Sequence, residues 1–160
     1  MDMTQPTFQD AMATLASSVS ILTTNGPAGL YGITVTALTS VTNTPPTFLA
    51  CVNRSGIANQ IFKTNNKICA NVLNSSQISL GQHYASGQEQ QKQFDNLHWY
   101  IQQDRPPELK EANAIIQGTV ASVQEYGSHS IFFIEVDTIK CTPDPDALVY
   151  FQRKYIKIPR

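Results

Sequence analysis

Small polar side chains and one cation converge on a short stretch of this chain, and their chemistry is that of an anion site. Residues 32–55 read GITVTALTSVTNTPPTFLACVNRS. Asn53, Arg54 and Ser55 are followed by Gly56 at the start of an expected helix. Free backbone N–H groups at a helix start, with small polar side chains beside them, suit a phosphate. Arg54 adds a cation that can pair with it. Thr36, Ala37 and Gly56 are small enough to let a flat ligand approach the backbone closely. The hydroxyl-rich run Thr39-Ser40-Val41-Thr42 adds donors and acceptors nearby.

The elements that must position these groups follow from pattern. Phe8, Ala11, Met12 and Leu15 recur at helical spacing, with Thr7 as cap and Asp10 three residues on. Residues 18–24 alternate as a strand, and Asn25-Gly26-Pro27-Ala28-Gly29 turns the chain into a second strand over 31–36. Residues 48–52 form a third strand, apolar enough to be covered on both faces. Ser55 is the expected cap of a helix whose Ile57, Ala58, Ile61 and Phe62 face the core. A fourth strand spans 68–73. A further helix starts at Ser75 or Ser76, runs through Ile78, Leu80 and Tyr84, and ends near Gly87. Residues 88–93 form an exposed polar run, and Arg105-Pro106-Pro107 breaks the chain. Two long β-rich runs, 115–126 and 130–140, are joined by Gly127-Ser128-His129, a hairpin signal. A last strand over 147–151 precedes a basic tail of Arg153, Lys154, Lys157 and Arg160. Strands that are mostly sequence neighbours, with short helices between them, predict a mainly β fold built as an antiparallel barrel. A doubly wound fold would need regular strand–helix alternation, and no GxGxxG fingerprint occurs.

Composition narrows the function. The 160 residues suit a single domain spanning 1–160. Only 14% of residues are charged, against about a quarter in ordinary soluble domains. That deficit fits a surface covered by a second copy of the chain. A net charge of -1 argues against nucleic acid as the main partner, because phosphate-backbone binding needs a basic patch. Cys51, Cys69 and Cys141 share no metal-like spacing, and His83, His98 and His129 are scattered, so no metal site is expected. Cys51 and Cys69 lie in apolar strand patterns and read as buried thiols. Without a signal segment or a long apolar run, no membrane span is expected and a reduced, cytoplasmic compartment fits.

Five motifs in order resemble the small flavin reductases that serve two-component monooxygenases, most of all the reductase component of 4-hydroxyphenylacetate 3-monooxygenases. They are Phe8-Gln9-Asp10-Ala11-Met12-Ala13 with 19–24; the stretch 32–55; Cys69-Ala70-Asn71-Val72-Leu73; Gly127-Ser128-His129; and residues 148–155. Ser128 stands where the family usually has Asp, and residues 87–107 match poorly. The resemblance implies an FMN-binding split barrel of the antiparallel Greek-key type, a homodimer, and FMN or FAD near the subunit boundary. It implies NADH or NADPH as hydride donor and a separate monooxygenase as recipient of reduced flavin. It also implies a flavin site drawn from Thr34, Val35, Thr36, Ala37, Thr39, Ser40, Cys51, Val52, Asn53, Arg54 and Ser55. Lys92 and Phe94 resemble a Lys/Arg-x-Phe segment near the flavin. His129 takes a nicotinamide-binding role. Tyr150 and Phe151 either flank the nicotinamide or pack across the barrel; alternation puts them on opposite faces.

Such a reaction asks little of side chains. The hydride donor carbon must lie over the flavin acceptor nitrogen, so the protein supplies a flat slot, hydrogen bonds and an anion site. No catalytic side chain is therefore expected. Two alternatives stay open on the residues: a non-enzymatic flavin carrier, and a pyridoxamine-phosphate-oxidase-like enzyme on the same barrel, which would want a richer basic site than Arg54 with Lys63 and Lys67.

Overall fold

In the computed structural model, residues 5–86 and 94–160 are described. Thr7 and Asp10 form the expected capping box, which starts helix α1 (Phe8–Met12). Strands β1 (Ser17–Ser18), β2 (Ser20–Thr24) and β3 (Tyr31–Val35) follow, then β4 (Leu38–Asn43) and β5 (Pro46–Asn53). Helix α2 (Ile57–Asn65) leads into β6 (Lys67–Val72), and helix α3 (Ile78–Ala85) comes next. The short strands β7 (Trp99–Tyr100) and β8 (Glu108–Leu109) flank the Pro106-Pro107 break. The long hairpin is β9 (Ala114–Tyr126) with β10 (His129–Cys141), and the chain finishes with β11 (Ala147–Phe151) and β12 (Lys154–Ile158).

Seven strands form one antiparallel sheet in the order β3-β2-β6-β9-β10-β5-β4. A second sheet runs β1-β11-β12, and β7 pairs with β8. Among the described residues the seven-stranded ladder does not close. Its two edges are β3 and β4, which are neighbours in sequence. The chain leaves β3 at Val35, turns through Thr36 and Ala37, and pairs β4 with β5 instead. β4 is therefore an edge, and its Thr39, Ser40 and Thr42 are exposed, where water can satisfy their hydroxyls.

Both faces of the sheet are covered where β2 crosses it, and all five β2 residues are buried. Leu22 points to one core, with Phe48, Phe62, Phe132 and Ile134; the Phe62 and Phe132 rings meet edge to face at 6.4 Å. Ile21 points to the other, with Leu73, Tyr84, Trp99, Leu109 and Leu148. Period-two alternation divides the strand between the two cores. Each such side chain contributes about 1.5–3 kcal/mol when fully buried. The long hairpin carries two register shifts, at Phe133/Ile134 and Val136/Thr138, which bend and twist it. Gly118 sits where its strand is crowded: a Cβ there would lie 2.3 Å from the Glu135 carbonyl oxygen.

Four local expectations change. Helix α2 has Gly56 at its N-cap with no side-chain cap, because Ser55 turns back to Asn53. Ile57 is 67% exposed rather than in the core, while Ala58 and Phe62 are buried. Cys51, expected as a buried thiol, is half-buried because it lines a cavity at the end of β5. The basic tail is a strand, because Gln152 and Arg153 both take positive φ and return the chain along β11.

Candidate functional site

The gap at the β3 edge is a cavity of about 490 Å³, within the range of small-molecule sites. One wall is β3 and the turn after it: Tyr31, Ile33, Thr34, Val35, Thr36 and Ala37. The opposite wall is the end of β5, Cys51, Val52 and Asn53. The Cys51 N–H donates to the Ala37 carbonyl at 3.2 Å, which holds the two walls together. Tyr84 and Ala85 of α3 close a third side, and the Thr34 hydroxyl fixes that helix by donating to the Gly81 carbonyl at 2.6 Å. Tyr84 is almost wholly buried, and that burial pushes its phenol pKa up. Among the described residues, Ile33, Val35, Val52 and Ala58 give the slot apolar surface without bulk.

One end of the slot is polar. Gly56, Ile57 and Ala58, the first residues of α2, line it. The helix has no side-chain cap there, so its leading N–H groups face the cavity end with the positive end of the helix dipole. Asn53 Oδ1 accepts from the Ser55 N–H at 2.9 Å and the Ser55 hydroxyl at 2.8 Å, an Asx turn that sets the entry to the helix.

At the rim, His129 pairs with Asn53 across β10 and β5. Its ring Nδ1 lies 2.8 Å from the hydroxyl of Ser128, the residue that stands where the family usually has Asp. Arg54 turns away from the slot toward the long hairpin. Its N–H donates to the Ser128 carbonyl at 2.9 Å, Nη1 donates to the Gly127 carbonyl at 3.2 Å, and Nε lies 3.0 Å from Glu125 Oε2. Glu125 also accepts from Lys63 and, at 2.7 Å, from the Ser130 hydroxyl. Those donors, Lys63 first and Ser130 second, hold its pKa below the usual carboxylate range. Buried Asn59 completes the chain of contacts, donating from Nδ2 to Ser130 Oγ at 2.9 Å and to the Val52 carbonyl at 3.2 Å.

Thus Thr34, Val35, Thr36, Ala37, Cys51, Val52, Asn53 and His129 meet around one cavity. Thr39 and Ser40 lie beyond it on the exposed edge strand. Ser55 and Arg54 flank the polar end without lining it. Lys92 lies outside the described residues. Phe94 packs behind the wall, 5.3 Å from the Tyr84 ring and 5.0 Å from Trp99. Tyr150 stacks edge-on against Tyr155 at 5.2 Å and lines a smaller cavity of about 240 Å³, which shares Thr36 with the first. Phe151, on the other face of β11, is 36% exposed. Sequence reasoning missed Tyr31, Ile33 and Tyr84. The first two carry a signal, since they share period-two spacing with Val35. Tyr84 carries none, because only the docking of α3 on β3 brings it in.

Among the described residues no cluster of His, Cys, Asp or Glu could hold a metal ion, and no helix is long and apolar enough to cross a membrane. The site can clasp a flat ring, hold an anion at the α2 start and admit a second ligand at the His129 rim.

Comparison with known proteins agrees with this geometry. The family model described as flavin reductase like domain matches residues 12–159. The 4-hydroxyphenylacetate 3-monooxygenase reductase component of Pseudomonas aeruginosa is 39% identical over 156 residues, covering 96% of this chain and 92% of that one. An FMN reductase (NADH), RutF, of Pseudomonas syringae is 38% identical over 155 residues, covering 97% and 87%. Among solved structures, the flavin reductase PheA2 superposes with a TM-score of 0.84 at 27% identity, covering 96% of this chain and 97% of that one. With its motifs in order, its sheet matched and nearly its whole length aligned, this chain belongs to the flavin reductase like domain family.

Proposed function

We propose that this protein is an NAD(P)H-dependent flavin reductase that reduces FMN or FAD and passes the reduced flavin to a separate monooxygenase, one acting on an aromatic substrate of the 4-hydroxyphenylacetate kind. The observation that carries the reading is the slot itself: small apolar side chains on both walls, a helix start at one end and a histidine at the rim. The relatives named above point the same way. Bound flavin supplies the redox chemistry, accepting a hydride from the reduced nicotinamide. The chain's own residues bind and orient. Ile33, Val35 and Val52 exclude water from the ring faces. The α2 start, with Asn53 and Ser55 shaping it, receives the phosphate. His129 meets the nicotinamide partner at the rim, and Ser128 fixes its ring.

Finer features follow from the same reading. The open seven-stranded ladder and the smaller β1-β11-β12 sheet are the two parts of a split barrel. The exposed Phe8 and Met12 of α1 and Leu15 just beyond it, together with the low charge, support a homodimer with this segment in the interface. The compartment is the cytoplasm. The carrier alternative separates cleanly from the enzyme. Under anaerobic conditions, flavin-loaded protein should consume NADH or NADPH, followed by absorbance of the reduced nicotinamide. Flavin binding without consumption of either nucleotide would make the protein a carrier.

A further inference from the structure

His129 starts β10 directly after a turn of two exposed residues, Gly127 and Ser128. An exposed turn does not hold a ring in place by packing, so something else must fix it. The Ser128 hydroxyl holds the ring, and Arg54 holds the turn that carries them both. Among the described residues, every hydrogen bond and ion pair of Arg54 runs to the β9–β10 hairpin: to Ser128, to Gly127 and to Glu125. None runs toward the slot. A planar guanidinium can serve a carbonyl and a carboxylate at once in fixed geometry, which an ammonium cannot. Glu125 is itself anchored by Lys63 and Ser130, and through Ser130 and Asn59 to the Val52 carbonyl on the cavity wall. The turn is thereby tied to the wall of the slot it overhangs.

We propose that Arg54 and Glu125 are positioning residues that lock the Gly127-Ser128 turn and so hold His129 at the cavity rim, and that Arg54 serves the nicotinamide half of the reaction rather than the flavin phosphate. The proposal rests on the assignment of His129 to the nicotinamide. It separates two roles that residue type alone would merge, because an Arg beside a helix start reads as a phosphate ligand until its partners are known.

The test compares Arg54→Ala, Arg54→Lys, Glu125→Gln, the Arg54→Ala/Glu125→Gln double variant and His129→Ala. Each is assayed for nicotinamide KM and kcat at saturating flavin, and for FMN and riboflavin Kd by fluorescence quenching. The pair is half exposed, so its loss should leave the protein folded, as thermal melts would show. Arg54→Ala and Glu125→Gln should each raise the nicotinamide KM about two- to fivefold with kcat nearly kept. The double variant should be no worse than the poorer single, since both remove one clasp. Arg54→Lys should recover only part of the loss. The ratio of FMN to riboflavin Kd should stay constant throughout. A selective loss of FMN affinity in Arg54→Ala would overturn the proposal and make Arg54 a phosphate ligand. His129→Ala raising KM while Arg54→Ala and Glu125→Gln do not would refute the clasp and leave the histidine's role intact. An unchanged KM in His129→Ala would sink both.

Discussion

Placing an aspartate at Gly56 should stabilise the flavin-free protein and weaken FMN binding at the same time. Gly56 is the N-cap of α2, it has extended backbone at φ -89 and ψ 151, and no side chain caps the helix. A Cβ at this position meets nothing within 4 Å. Gly56→Asp can therefore enter without strain and accept from the leading N–H groups. Over glycine the cap itself is worth a few tenths of a kcal/mol. A carboxylate at a helix N-terminus adds about 0.3–1 kcal/mol. The sum, about 0.5–1 kcal/mol, raises the melting temperature by about 1–4 °C in a domain of this size. The same groups are those assigned to the flavin phosphate. FMN would lose charge-assisted hydrogen bonds worth about 1.5–3 kcal/mol and meet a like charge, so its Kd should rise about 10- to 150-fold. Riboflavin lacks the phosphate and should change far less. Gly56→Ala is the control: it cannot cap, so it should be slightly less stable, and it should bind both flavins nearly as the parent does. Thermal melts of flavin-free protein and fluorescence titrations with both flavins read the two effects. Equal weakening of FMN and riboflavin by Gly56→Asp would mean simple obstruction and would place the phosphate elsewhere. A stabilised protein with unchanged FMN affinity would refute the argument outright.

Alkylation should rank the thiols by environment: exposed Cys141 first, half-buried Cys51 more slowly, and Cys69 only on unfolding, since burial, helped by the Glu108 charge, pushes its thiol up to about 12. Because Cys51 lines the slot, FMN should protect it and leave Cys141 unaffected; peptide mass mapping that finds Cys51 equally reactive with saturating FMN would place the flavin outside this cavity. Asp10 joins α1 to the β11–β12 turn through Arg153 at 2.7 Å, and that bond, with those from Thr7, lowers its pKa in the folded state. A depressed carboxylate stabilises the folded state above its unfolded value, about 3.8, and loses that contribution as pH falls toward the folded value. The melting-temperature gap between the parent and Asp10→Asn should therefore be full at neutral pH and close in strong acid; a gap that does not change with pH would place the effect in the capping geometry alone.

Much of this molecule was legible residue by residue, and each failure has its own physical cause. Thr7 and Asp10 announced α1, and Gly127-Ser128 announced the long hairpin, because caps and tight turns are local chemistry. The segment from Thr34 to Ala37 and the end of β5 were legible as one site because they lie in one continuous stretch. Arg54 was legible as a cation at a helix start. Its partner was not, since Glu125 lies on another strand and only the register of β5, β10 and β9 brings the two together. Ser55 looked like a cap because hydroxyls cap helices, yet the asparagine two residues earlier accepts from both its hydroxyl and its backbone N–H. The final strand hid in its lysines: Lys154, Ile156 and Ile158 are exposed, so β12 is an edge strand with charge on it, and charged edges read as tails.

The expected split barrel and the observed ladder, open among the described residues, bear directly on the chemistry. In a closed barrel of about eight strands, the interior is filled by side chains or holds one small ligand, and the wall itself has no opening between strands. Here β3 and β4 diverge at Thr36 and Ala37, so the seam that closure would have sealed stays open. The walls of the slot are then the two sides of that seam, β3 and the end of β5, joined at their base by the Cys51–Ala37 hydrogen bond. Small residues at the turn keep the slot narrow without blocking it. Polar groups stand at its ends, the α2 start on one side and His129 on the other, and Thr34 and Thr36 add hydroxyls along the β3 wall. A reaction that passes a hydride between two stacked rings needs this distribution: apolar walls to hold the rings in contact, and polar ends to fix how far each ring slides.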